Sequence, residues 1–193
     1  EGLASNVALL ADLQGPKIRT HEMENNGGLL VNDSIVKITT EPVLGTAEHF
    51  SINYGQLPQD VNPGERILLD DGKLMLEVTE TDKVSTFYAK VIHGGLLSSK
   101  KGVNFPNTSI SMPSLTEKDR KDLDFALEHG VDWIGLSFVR SAQDVRELKN
   151  IIASRGAKAK VIAKIEKPEA VAEIEEIVKE SDALMVARGD LGV

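Results

Sequence analysis

The chain has 193 residues, 41% hydrophobic and 27% charged, which fits a globular protein able to bury a core and form one or two domains. Its net charge of -8 argues against nucleic acid as a partner, so an anionic substrate would have to be met by local cations or a metal. There is no cysteine, which excludes disulfides and thiol catalysis, and neither a membrane-spanning apolar run nor a signal peptide is expected.

In chain order, Val7 to Asp12 predicts an apolar strand that carries Asp12 at its C-terminal end and is broken by Gly15-Pro16. From about Thr20 to Phe105 the pattern becomes β-rich, with short runs such as Ser34 to Thr40 and Arg66 to Leu69 between turn residues. Asp71-Gly72 reads as a hairpin turn, and Thr86 to Ile92 as a strand ended by Gly94-Gly95. This stretch predicts an antiparallel β module over residues 17–112, inserted between a first segment, 1–16, and a second, 113–193, of one β/α domain.

After Pro113 the period becomes helical. Ser114 and Glu117 have the spacing of a capping box, Leu123, Ala126 and Leu127 form an apolar stripe, and Gly130 stops the helix. Val131 to Val139 predicts a strand. Ser141 caps a second helix whose apolar face is Val145, Leu148, Ile151 and Ile152. Strand 160–166, helix 168–180 and strand 183–187 follow. Such alternation implies parallel strands joined by right-handed crossovers, and leaves open a barrel or a doubly wound open sheet.

The chemistry gathers near the end of the chain. Alternate strand residues share a face, so Ile162, Lys164 and Glu166 point one way and Val161, Ala163 and Ile165 the other. An ammonium and a carboxylate therefore leave one face at a strand's C-terminal end, and Pro168 suits the first turn of a helix beyond it. The next strand breaks into Arg188-Gly189-Asp190. Glu166 and Asp190 together suit Mg²⁺, which takes one or two carboxylates plus water and substrate oxygens, although helix N-termini also attract acids for capping. Lys164 suits either charge stabilisation or Schiff-base formation. Gly189 and Asp190 offer backbone N–H groups to an anion. Phe138, at a strand end, fits a substrate-packing role or a core role. Arg19 and Lys101 bracket the β module with positive charge. The four histidines show no metal-ligand spacing, and neither a Walker A run nor a GxGxxG is present.

Five blocks in order resemble pyruvate kinase: Leu10 to Thr20, Lys100 to Asn104, Leu136 to Arg140, Lys160 to Pro168 and Met185 to Val193. The resemblance implies a partial TIM (β/α)₈ barrel, strands three to six, with an inserted antiparallel β-barrel lid domain. It implies transfer of a phosphoryl group from phosphoenolpyruvate to ADP, giving pyruvate and ATP in glycolysis, in a cytoplasmic enzyme whose parent is a homotetramer. By resemblance Lys164 and Arg19 are catalytic, Glu166 and Asp190 hold Mg²⁺ or Mn²⁺, and the substrate lies on Lys164, Gly189, Asp190 and Phe138. Arg19 and Lys101 contact the nucleotide phosphates. Leu13 and Lys17 stand where K⁺-dependent members carry threonine and glutamate, which resembles the K⁺-independent branch. There the Lys17 ammonium replaces the ion beside Asp12. Family parts that lie upstream and downstream are missing, so these residues alone are expected to be inactive. The alternatives are a metal-dependent or Schiff-base lyase acting on pyruvate or oxaloacetate, and a non-catalytic anion-binding fragment.

Overall fold

A computed structural model describes residues 7–192. In chain order the elements are β1 (Leu10–Asp12), β2 (Gly27–Leu30), β3 (Ile35–Thr39), β4 (His49–Ser51), α1 (Leu57–Asp60), β5 (Arg66–Leu69), β6 (Leu74–Thr81), β7 (Thr86–His93), β8 (Gly95–Ser98) and β9 (Val103–Asn104). They continue with α2 (Glu117–Glu128), β10 (Trp133–Leu136), α3 (Ala142–Ser154), β11 (Lys160–Ile165), α4 (Pro168–Ala172), α5 (Ile174–Glu180), β12 (Ala183–Val186) and α6 (Arg188–Leu191). Two compact units result: the described residues up to Pro16 with Pro113–Gly192, and Lys17–Met112. The outer ends of the expected segments, residues 1–6 and 193, lie outside the described residues.

The first unit is a four-stranded sheet in the order β1-β10-β11-β12, every pair parallel. Parallel neighbours need long crossovers, which the helices after β10 and β11 supply. The strand pattern of β11 settles which face is covered. Val161, Ala163 and Ile165 are buried, while Ile162 and Lys164 on the opposite face are only half-buried. The buried set packs with Leu123, Val145, Leu148, Ile152 and Ile177 from the helices. Each such side chain removed from water contributes about 1.5–3 kcal/mol.

Several elements differ from the sequence expectation. Helix α2 is capped by Thr116 and Asp119 rather than Ser114 and Glu117: Asp119 Oδ2 accepts the Thr116 N–H at 3.0 Å, and Thr116 Oγ1 accepts the Asp119 N–H at 3.1 Å. The Ser114 hydroxyl is buried without a partner among the described residues. The strand expected over 131–139 is only β10, because Phe138 turns to φ +55° just beyond it. The helix expected over 168–180 breaks into α4 and α5 at Glu173, whose φ of -103° leaves the helical path.

The second unit has a six-stranded sheet, β4-β3-β7-β6-β5-β9, and a separate pair, β2-β8. Its pairs are antiparallel except β3-β4, which run parallel, so the expected all-antiparallel module is mixed. The expected turn at Asp71-Gly72 joins β5 to β6, with Asp70, Asp71 and Gly72 at positive φ. A separate core of Phe50, Phe87, Ile38, Leu76 and their neighbours makes the unit self-sufficient.

Tyr54 of this unit is 4% exposed, and its hydroxyl donates to Asp60 Oδ2 at 2.5 Å and pairs with Ser111 Oγ at 2.8 Å. Burial, then the Asp60 bond, raises its pKa above the ordinary tyrosine value. A raised folded-state pKa contributes stability that is complete below the ordinary value near 10 and is lost as pH climbs through the folded value. The gap in unfolding free energy between wild type and Tyr54→Phe should therefore stay constant to about pH 9 and narrow above pH 10. Urea unfolding of both proteins at stepped pH measures it.

Candidate active site at the ends of the parallel strands

Adjacent parallel strands deliver their C-terminal residues to one edge of the first unit's sheet. Asp12 ends β1, Ser137 follows β10, Glu166 follows β11 and Ala187 follows β12. Lys164, the inward residue two before Glu166, reaches across this edge. Its Nζ lies 3.1 and 3.2 Å from the Asp12 oxygens, 2.8 Å from Ser137 Oγ and 3.3 Å from Glu166 Oε1. One ammonium thus ties three strand ends together. The Lys164 side chain is 13% exposed and Glu166 only 3%. Burial works against the charge on Lys164, but the Asp12 bond and the Glu166 charge outweigh it and hold its pKa above the usual lysine value. At neutral pH it is a firm cation.

The surrounding backbone is built to fix these groups. Ser137 Oγ donates to the Leu13 carbonyl at 2.7 Å, so it can meet Lys164 only as an acceptor. Phe138 N–H donates to Glu166 Oε2 at 2.8 Å. Phe138 holds φ +55° to do so, a conformation that costs a non-glycine residue on the order of 1–3 kcal/mol. Gly15, at φ +69°, passes directly beneath: a methyl there would lie 2.8 Å from Phe138 Cδ2 and 2.9 Å from Ser137 Cβ. Gly135 likewise leaves room for Asp12, since its Cβ would stand 3.0 Å from Oδ1. The Gly15 N–H in turn donates to the fully buried Asp119 at 3.1 Å, joining the turn after β1 to the cap of α2.

Asp190 lies in the short helix α6, whose first N–H groups, those of Arg188, Gly189 and Asp190, have no acceptor within the helix. Both Asp190 and Glu166 act electrostatically on Lys167. Lys167 is half-buried, and its Nζ stands 5.9 Å from the centre of the Phe138 ring. Burial lowers its pKa, against the raising charges of Glu169, Asp190 and Glu166 and with the lowering charge of Arg140. Lys167, Ser137 and Asp119 join the site without any local sequence signal. Lys167 is the second residue beyond β11, just past the alternating run that ends at Glu166, and the other two act through long-range contacts that no local spacing announces.

Glu166 retains metal-binding capacity. Each carboxylate oxygen accepts two bonds, and here one oxygen faces Lys164 and the other the Phe138 N–H. Among the described residues no three His, Cys, Asp or Glu side chains gather to hold one ion. A metal on Glu166 and Asp190 would therefore complete its shell from substrate and water, as Mg²⁺ readily does.

The remaining expected residues are distributed between the units. Leu13 is 2% exposed in the first unit's core. Lys17 opens the second unit, where its carbonyl accepts from Asn53 Nδ2 at 3.3 Å. Asp12 is engaged by Lys164. Arg19 and Lys101 come together within the second unit, since Arg19 bridges Gly102 and Thr20 N–H donates to the Lys101 carbonyl at 2.9 Å. The Arg19 guanidinium donates to the Lys100 carbonyl at 2.8 Å and lines a 630 Å³ pocket with His21, Leu44 and Asn53. Lys101 is paired with Asp70 at 2.8 Å, and Asp70 also takes Lys73 at 3.0 Å.

The chain matches the family described as "Pyruvate kinase, barrel domain" over residues 1–193. It is 49% identical over 190 residues to pyruvate kinase 2 of Synechocystis sp., with 97% of this chain and 32% of that protein covered. The pyruvate kinase of Geobacillus stearothermophilus is 48% identical over 189 residues, with 97% and 32% covered. That of Corynebacterium efficiens is 48% identical over 187 residues, with 97% and 39% covered. The chain thus spans 32% to 39% of the length of these relatives.

Asp119 is the hidden support of this edge. Asp119→Ala removes a helix cap and leaves the Gly15 and Thr116 N–H groups without their acceptor, a loss of roughly 2–4 kcal/mol. Asp119→Asn keeps one oxygen and should lose less. Urea unfolding followed by circular dichroism checks both.

Proposed function

Because the chain belongs to the pyruvate kinase family, we propose that it is the part of such an enzyme that moves a phosphoryl group from phosphoenolpyruvate to ADP, giving pyruvate and ATP in glycolysis. The observation that carries the reading is the Lys164 ammonium, held by Asp12, Ser137 and Glu166 at the ends of three parallel strands. That edge is where a parallel β/α barrel does its chemistry. On this reading the first unit is strands three to six of a TIM barrel, and Lys17–Met112 is a lid inserted after the third.

Phosphoryl transfer asks a protein mainly for position and positive charge. Lys164 supplies a fixed charge to the moving phosphoryl group and to the oxygen that becomes enolate. Glu166 and Asp190 would hold Mg²⁺ or Mn²⁺, which when bound supplies further positive charge to the substrate's oxygens. The N–H groups of Gly189 and Asp190 take the substrate carboxylate, and Phe138 fixes Glu166 through its own N–H. Arg19 and Lys101 serve the nucleotide phosphates, with Lys101 released from Asp70 when it does so. The engagement of the Lys164 Nζ by Asp12, Ser137 and Glu166 opposes a Schiff-base lyase, whose amine must be free to attack a carbonyl. On this reading the full-length enzyme works in the cytoplasm as a homotetramer.

In the full-length enzyme, Lys164→Met should cut turnover by on the order of 10²-fold or more, as losing a preorganised charge does, while leaving metal affinity largely intact. Asp190→Ala should instead weaken the metal. A coupled ATP-formation assay and Mn²⁺ titration separate the two effects. Borohydride with pyruvate should leave no adduct on Lys164, and trapping one would favour the lyase.

Monovalent cations give a separate test. Leu13 offers no oxygen from its side chain, and the Lys17 ammonium repeats the single charge of K⁺. The full-length enzyme should be fully active without K⁺. Lys17→Glu should lower activity and make the remainder rise with added K⁺. A wild-type enzyme silent until K⁺ is added would overturn the assignment of Lys17 and Asp12.

A further inference from the structure

Lys167 is a cation at the site that the reaction as described leaves unused. Its side chain is half-buried against the Phe138 ring, with Nζ 5.9 Å from the ring centre, and the ammonium makes no hydrogen bond or ion pair among the described residues. Lys164 has three polar partners within 3.3 Å. An ammonium has three donors, and leaving them unmade away from water is costly. The carboxylates around Lys167 compensate its charge without bonding it. The charges of Glu169, Asp190 and Glu166 all reach it. Asp190 and Glu166 are also the proposed metal ligands. With both engaged by a divalent cation, Lys167 loses two of its three compensating charges and keeps the positive neighbour Arg140. The loaded site therefore favours an anion that restores the lost compensation at Lys167, which stands against the Phe138 ring and within reach of the charge of Asp190 in α6.

We infer that Lys167 is a further substrate-binding residue that donates to the carboxylate of the phosphorylated enol acid, a role that rests on the functional reading above. The Phe138 ring is its seat. That wall is apolar and electron-rich, so the half-buried side chain is held against the ring rather than extended into solvent. A charge-assisted bond of this kind affects affinity about tenfold or more when removed. Arginine should keep much of that contact, since it also stacks on an aromatic face and donates to carboxylates.

The test uses the full-length enzyme and its Lys167→Gln and Lys167→Arg variants. Isothermal titration follows oxalate, a probe with carboxylates and no phosphoryl group, in the presence of Mg²⁺. Inorganic phosphate is titrated in parallel, and Mn²⁺ is titrated alone. Lys167→Gln should weaken oxalate and phosphoenolpyruvate about tenfold or more, and Lys167→Arg by about threefold or less. Phosphate should bind both variants as it binds wild type, and Mn²⁺ should bind no more weakly than it does to wild type. Unchanged oxalate affinity in a folded Lys167→Gln variant overturns the inference. So does a fall in Mn²⁺ affinity, which would mean that Lys167 acts on the carboxylates instead. A loss confined to phosphate overturns the assignment to the carboxylate. Should Lys167→Gln fail to fold, the arginine variant decides: oxalate weakened tenfold or more in that folded protein overturns the inference, and near-wild-type affinity supports it. Wild-type enzyme that forms no ATP from phosphoenolpyruvate and ADP refutes the functional reading itself, an outcome distinct from all of these.

Discussion

Everything at the sheet edge depends on one half-buried ammonium shared between two carboxylates and a hydroxyl. Lys164 comes from β11, Asp12 from β1, and Ser137 from the end of β10. Taking such charges out of water costs several kcal/mol per ion, and the mutual attraction offsets this only when the geometry is good and every partner is satisfied. Here the partners are themselves held. Glu166 has the Phe138 N–H, and Ser137 has the Leu13 carbonyl. The arrangement is therefore poor evidence of stability for its own sake. It keeps charge concentrated at a point where three strand ends converge, and a fixed charge needs no rearrangement when an anion arrives.

Much of this was legible in the sequence, for local reasons. The two-residue period of β11 put Lys164 and Glu166 on one face, and they are in contact across it. The βαβ alternation gave parallel neighbours, so the two acidic residues fall at adjacent strand ends. What escaped was whatever depends on contacts between distant residues. Asp119 reads locally as an ordinary helix-entry acid, yet it binds a glycine 104 positions away. Thr116 rather than Ser114 caps α2 because Asp119 is the acid that can reach back. Phe138 reads as one more strand residue, and only its positive φ reveals that the strand has already ended. Lys167 sits one position past a regular pattern, where the pattern no longer says which way a side chain points.

The second unit teaches the same distinction. Short alternating runs and Asp71-Gly72 marked its strands well, but strand order is not a local property. That β3 and β4 run parallel inside a sheet of otherwise antiparallel pairs could not be read from either segment. Nor could the fate of Lys101. A basic residue next to glycine looks like a free charge, whereas Asp70, held at φ +50° in the β5-β6 turn, binds it and Lys73 together.

The closure of the second unit's ends bears on the order in which the chain acquires its structure. Its entry and exit are stitched side by side: Val103 N–H donates to the Ile18 carbonyl at 3.0 Å, and Arg19 bridges Gly102. The pairing of β1 with β10, in contrast, joins segments separated by the whole of that unit. Bringing the ends of so long a flexible loop together costs entropy before any contact repays it. Once the second unit has collapsed around its own core, its ends already lie together, and the chain left to close runs only from Asp12 to Ile18 and from Val103 through α2 to Trp133. An early-folding insert thus shortens the loop behind a remote strand pairing, and it does this as a kinetic aid whatever it later binds.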